Sequence, residues 1–85
     1  FIGAGGRAGE LAGSFSKSPN AKIVSFADPD LQRASKLAGN FKAAAHSDLR
    51  KVLDDPSIDA VVVATCNHWH VLAAMWALDA GKHVY

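Results

Sequence analysis

Short apolar runs and helical patterns alternate along this chain from one end to the other, and that alternation leaves few folds open. Phe1-Ile2 is the tail of an apolar run, broken at once by Gly3-Ala4-Gly5-Gly6. From Arg7 to about Lys17, Ala8, Leu11, Ala12 and Phe15 recur at three- and four-residue spacing, which predicts a helix. Ser18-Pro19-Asn20 ends it. Ile23 to Ala27 is rich in strand formers and stops at Asp28-Pro29. A second helix is expected from Pro29 to Ala38, with Gly39 as its stop and Leu31, Ala34 and Ala38 as its inner stripe. Phe41 to Ala45 reads as a short strand. Ser47 is the expected cap of a third helix with Leu49, Val52 and Leu53 inward, closed by Asp55-Pro56-Ser57. Ile58 to Ala64 is the clearest strand. Its last five residues are apolar, as expected for a central parallel strand covered on both faces. A helix from about His68 to Ala80 follows, stopped by Gly81. Val71, Met75 and Leu78 mark one of its faces, widened by Leu72 and Trp76, which predicts burial on more than one side. Lys82 to Tyr85 begins another strand.

Repeated βα units imply a parallel sheet with right-handed crossovers. The expected class is α/β: a Rossmann-type doubly wound sheet in three αβα layers, truncated at both ends. In the dinucleotide-type strand order 3-2-1-4-5, the first and fourth strands meet at the switch point. The loops Gly3–Ala8 and Thr65–His70 then face each other across one crevice, where open α/β sheets bind ligands. With 49% hydrophobic and 20% charged residues, the chain is no disordered tail. A net charge of +1 without like-charge runs argues against nucleic acid or a membrane surface as partner. One cysteine excludes an internal disulfide framework. No apolar stretch reaches the roughly 18–20 residues of a membrane span. The chain opens on Phe1 rather than Met and breaks off at Tyr85 within a strand, so a longer parent protein is expected, cytoplasmic unless a targeting segment lies outside these 85 residues.

Gly3-Ala4-Gly5-Gly6-Arg7-Ala8 fits G-x-G-x-x-G/A at a strand end and a helix start. Gly3 permits the tight turn. Gly5 lets a pyrophosphate approach the backbone, and a small Ala8 lets helix and strand pack closely. The free N–H groups of the first helical turn supply an anion site. The bland alternative is a glycine-rich turn with no ligand. Asp28 stands 28 − 3 = 25 residues beyond Gly3, at the end of the next strand, where an acid holds the adenosine ribose. Its bland alternative is to cap the second helix. A carboxylate repels a 2′-phosphate, and the nearest following arginine, Arg33, is five positions on, so NAD is expected over NADP.

Cys66, His68 and His70 occupy alternate positions, with His46 and His83 elsewhere. A metal site is not expected. Alternate side chains point one way only on a strand, and a helix should already have begun near His68. Nothing local orients a base toward Cys66 as a nucleophile. Taken one by one, Asn67 reads as a helix cap, His70 as a core or surface histidine, and Trp69 and Trp76 as packing residues.

The stretch from Ala64-Thr65-Cys66-Asn67-His68-Trp69-His70 through Ala80-Gly81-Lys82-His83-Val84-Tyr85 resembles the Gfo/Idh/MocA oxidoreductase family, which reads A-T-P-[ND]-x-x-H, then an apolar helix, then A-G-K-H-V. The glycine loop, Asp28 and Ile58-Asp59-Ala60-Val61 fit the same pattern. Cys66 replaces the usual proline. The resemblance implies that 1–85 is part of one NAD(P)-binding Rossmann domain, with a C-terminal substrate domain elsewhere in the parent, through which a homo-oligomer would form. It implies NAD-dependent oxidation or reduction of a sugar, cyclitol or related polyol. By position, Gly3, Gly5, Gly6, Arg7 and Ala8 would form the pyrophosphate loop, and Asp28 would hold the ribose. Thr65, Asn67 and His70 would line the nicotinamide side. The family's Glu-Lys-Pro motif would begin beyond Tyr85, leaving no catalytic residue here except His70 as an auxiliary group. Two alternatives share such a cofactor domain: an NAD-dependent glycosidase and a non-catalytic cofactor-binding regulator.

Overall fold

The computed structural model describes residues 1–65 and 67–85, and within the last helix the side chains of 67–71 lie outside that description. The order is α1 (Gly6–Ser16), β1 (Ser25–Ala27), α2 (Leu31–Phe41), β2 (Ala44–His46), α3 (Arg50–Leu53), β3 (Ala60–Val61), α4 (Asn67–Asp79) and β4 (His83–Val84). β1 pairs parallel with β2, Phe26 opposite Ala45, and β3 pairs parallel with β4, Val61 opposite Val84. Ile2 joins the two pairs by parallel bridges to Ala27 and Val63. With Phe1-Ile2 counted as the first strand, the order is the expected 3-2-1-4-5, and the fold is a Rossmann α/β sheet.

The core forms two clusters. Ala4, Ala12, Phe26, Ala34 and Ala38 pack where α1 and α2 meet β1. Ile2, Val52, Leu53, Ile58, Val61, Val63, Ala73 and Ala77 pack with α3 and α4. Small residues recur on the inner faces of the helices because a helix lying close on a pleated strand leaves little room for longer side chains.

Several sequence expectations are corrected. Pro29 lies outside α2, whose cap is Asp30, its side chain accepting from the amides of Gln32 and Arg33. Gly39 lies within the helix, which continues to Phe41 and ends on Lys42 in the left-handed region at φ 54°. Leu31 is 48% exposed, whereas Ala34 and Ala38 are buried as expected. The short strand begins at Ala44, because Phe41 closes the helix. Ser47 is not the cap of α3. Asp48 Oδ1 accepts from the Arg50 amide at 2.9 Å, and the Arg50 guanidinium folds back onto the same carboxylate. The hydrogen bonds from the Arg50 side chain and amide lower the Asp48 carboxyl to about 2.

The run from Ile58 to Ala64 is covered on one face among the described residues. Val61 and Val63 are buried, while Ala60 is exposed and Val62 and Ala64 are only partly covered. Among the described side chains of α4, Ala73 and Ala77 are buried and Leu72, Met75, Trp76 and Leu78 are exposed, while Val71 lies outside the described side chains. The large apolar residues were expected inside. A helix apolar all round gives periodicity no basis for choosing a face, and close packing selects the small side chains.

Candidate functional site

The candidate site lies at the seam where the chain's first strand meets β1 on one side and residues 62–64 on the other. Ile2 N donates to Val62 O at 2.9 Å and Gly3 N to Ala27 O at 2.7 Å, while Ala64 N donates to Ile2 O at 2.8 Å. The chain must then turn sharply into α1. Gly3 does so at φ +98°, and a Cβ there would stand 2.6 Å from Ala64 O and 3.2 Å from Thr65 N. The glycine turn and the 64–65 loop therefore touch, as the switch-point geometry requires. Gly3 is needed on two counts, conformation and closeness.

Gly5 precedes α1 without a side-chain cap, and its carbonyl accepts from Gly9 N at 3.1 Å. The amides of Gly6, Arg7 and Ala8, in the first turn, have no carbonyl within the helix to bond. Apart from their chain neighbours and the helix's own backbone, no described atom lies within 4 Å of where a Cβ of Gly5 or Gly6 would stand. The helix start is thus an open cradle of backbone donors, aided by the helix dipole. Ala8 is fully buried, so α1 approaches the strands closely there. Arg7 points along the helix exterior and pairs with Glu10 at 3.3 Å.

Asp28 closes the other side. It is 5% exposed. Its Oδ2 accepts from the Ala4 amide at 2.9 Å, tying the end of β1 to the glycine turn. Its Oδ1 accepts from the Asp30 amide at 2.8 Å across Pro29. The cap of α2 is Asp30, so the bland reading of Asp28 fails. A buried carboxylate beside a glycine-lined helix start retains lone pairs for further donors.

Thr65 is partly buried at the seam, and its hydroxyl has no hydrogen-bond partner among the described residues. Asn67 lies at the first position of α4, but the side chains of Asn67, His68, Trp69 and His70 are outside the described residues, as is Cys66. Among the described residues no three His, Cys, Asp or Glu could hold a metal ion. His46 in β2 and His83 in β4 stand on opposite outer strands of the array. No helix among the described residues is long and apolar enough to cross a membrane.

Two site features escaped sequence reasoning. Asp30 shares the Asp-Pro-Asp stretch with Asp28, and its capping role follows from the rule that an acid caps the first free amides. Arg33 was set aside for its distance along the chain, yet its Nη2 lies 3.5 Å from Asp28 Oδ1. A groove of about 480 Å³ lies elsewhere, at the N-terminal ends of the strands near Ile23 and Ile58. A smaller one, about 340 Å³, runs from Thr65 and Arg7 down to Phe15 and Tyr85, over the open face of residues 62–64. Chemistry rather than cavity size marks the crevice at Gly5 and Asp28.

Residues 1–85 match from end to end the model of GFO_IDH_MocA, an oxidoreductase family with an NAD-binding Rossmann fold. The levoglucosan dehydrogenase of Pseudarthrobacter phenanthrenivorans is 38% identical over 66 residues, 78% of this chain and 17% of its own length. The scyllo-inositol 2-dehydrogenase (NAD(+)) of Bacillus subtilis is 35% identical over 68 residues, 79% of this chain and 20% of its own length. The crystal structure of an NAD binding oxidoreductase from Klebsiella pneumoniae superposes with a TM-score of 0.88 at 32% identity, over 99% of this chain and 25% of that one. The chain spans a quarter or less of the proteins it resembles. By strand order, by the glycine turn and by the match along its whole length, the chain belongs to the Gfo/Idh/MocA oxidoreductase family and carries its NAD-binding Rossmann fold.

Proposed function

We propose that this chain is the dinucleotide-binding part of an NAD-dependent oxidoreductase acting on a sugar, cyclitol or related polyol, with a second, substrate-binding and oligomer-forming domain elsewhere in the full-length protein. The observation that carries the reading is the buried Asp28 carboxylate, bonded to the Ala4 amide beside an open helix start. NAD, when bound, supplies a hydride acceptor and, reduced, a hydride donor. The first-turn amides of Gly6, Arg7 and Ala8 hold the pyrophosphate, and Gly3 and Gly5 let it come close. Asp28 accepts from the adenosine ribose hydroxyls. By the family pattern Thr65, Asn67 and His70 would line the nicotinamide side, where the His70 imidazole would orient substrate or relay a proton. The substrate class is argued from the relatives, which include dehydrogenases of levoglucosan and scyllo-inositol.

The test is titration of the full-length protein with NAD, followed by assay of NADH formation against a panel of cyclitols and sugars. Saturable NAD binding with turnover of at least one polyol is expected. No NAD binding would overturn the reading. Binding without any turnover would favour the regulator, and glycoside cleavage without net NADH the glycosidase.

A further inference from the structure

The adenosine end of the proposed site holds a charge that spacing along the chain concealed. Asp30 starts α2 immediately beyond β1, and the first turn of that helix carries Arg33 back toward Asp28. Arg33 Nη2 stands 3.5 Å from Asp28 Oδ1, and Arg33 Nε stands 3.8 Å from Asp30 Oδ2. The arginine side chain is 59% exposed and that of Asp28 only 6%, so the guanidinium sits at the solvent edge of a carboxylate held inside.

Asp28 has about half of its accepting capacity left. A carboxylate offers about four lone-pair sites. One is used by the Ala4 amide and one by the Asp30 amide. Arg33 lies against the same oxygen as the Asp30 amide. It therefore competes with a ribose hydroxyl for Oδ1. At 3.5 and 3.8 Å both of its ion pairs are longer than a tight charge-assisted bond, about 2.7–2.9 Å. A guanidinium so loosely held keeps N–H donors for another anion, and its planar fork suits a phosphate. Asp28 alone would repel a 2′-phosphate, and a positive charge beside it offsets that repulsion.

We propose that Arg33 is a specificity-determining residue at the adenosine 2′ position, its guanidinium facing a 2′-phosphate that Asp28 alone would repel and so keeping the discrimination between NAD and NADP shallow. The assignment rests on the reading of the crevice as a dinucleotide site. It is tested by calorimetric titration of the full-length protein with NAD and with NADP, in the wild type, Arg33→Ala and Arg33→Lys, with a melting curve for each. NADP is expected to bind the wild type measurably, though more weakly than NAD. Arg33→Ala should raise the ratio of NADP to NAD dissociation constants about tenfold or more, the size of one charge-assisted bond. Arg33→Lys should recover part of it. An unchanged ratio in Arg33→Ala overturns the assignment, as do equal losses for both nucleotides or NADP binding too weak to detect in a wild type that binds NAD. A wild type that binds neither nucleotide overturns the dinucleotide reading itself, and this assignment with it.

Discussion

At the scale of single residues, two glycines that one motif treats alike have different tasks. Gly3 sits at φ +98° against Ala64 O, so Gly3→Ala should strain the backbone and force the seam apart, costing roughly 1–3 kcal/mol or more of stability. Gly5 has ordinary φ and open space around it, so Gly5→Val should leave the melting temperature nearly unchanged and abolish NAD binding. Melting curves and calorimetry on both variants check the contrast. Asp28→Ala should weaken NAD binding about ten- to a hundredfold, the loss of a charge-assisted bond. It should also lower stability, because the Ala4 and Asp30 amides lose their acceptor. Asp28→Asn keeps one amide oxygen and should lose less stability while narrowing the preference for NAD. Measuring stability and affinity side by side separates the two roles. His70→Ala is expected to lower kcat/KM by roughly ten- to a hundredfold without abolishing turnover. Wild-type kinetics in a stable variant would remove His70 from the site.

At the scale of elements, the beginnings and ends of βα units were legible where the chemistry is local. The glycine turn, the stop at Asp28-Pro29 and the stop at Gly81, found at φ +78°, all follow from residues that constrain their own backbone. What was not legible is which face of an apolar helix turns inward. In α4 the choice falls to Ala73 and Ala77, a matter of packing distance rather than of pattern. Arg33 escaped for a related reason. Distance along the chain is not distance in space once a helix turn intervenes. Lys82 is a third case, since nothing in its neighbours predicts burial. It is 7% exposed, and its Nζ donates to Asp55 O at 2.8 Å and Ile58 O at 2.7 Å, fastening the loop after α3 to the start of β4. Lys82→Met should cost about 1–3 kcal/mol, read from denaturant unfolding, because Ile58 O loses the lysine donor and Asp55 O keeps only the Ile58 amide. NAD affinity should stay the same, since the clamp lies at the edge of the sheet opposite the crevice.

At the scale of the whole molecule, the strand order was readable from the alternation of βα units together with the glycine turn, because right-handed crossovers leave only a handful of arrangements for such a chain and the turn selects the dinucleotide-type one. The coverage of the sheet was not. Apolar strand residues announce a covered face but do not say what covers it, and Val62 and Ala64 remain partly open. Among the described residues the backbone bonds between the two strand pairs run through Phe1 to Gly3, and Ala27 of β1 packs across the same line with Val61 and Val63. The glycine turn and Asp28 stand with one pair, and Thr65 with the other. A dinucleotide lying across that line would act as a rivet between two plates joined by one row of backbone bonds and the packing around Ala27. Any ligand that binds only the joined form shifts the balance against separation, by about 2.7 kcal/mol at a hundred times its dissociation constant. The amides of Ile2, Gly3 and Ala64 should therefore exchange with deuterium more slowly once NAD is added, while those of Ala34 and Ala38, inside one plate, change far less. Equal slowing everywhere would mean that the two halves already open and close as one body.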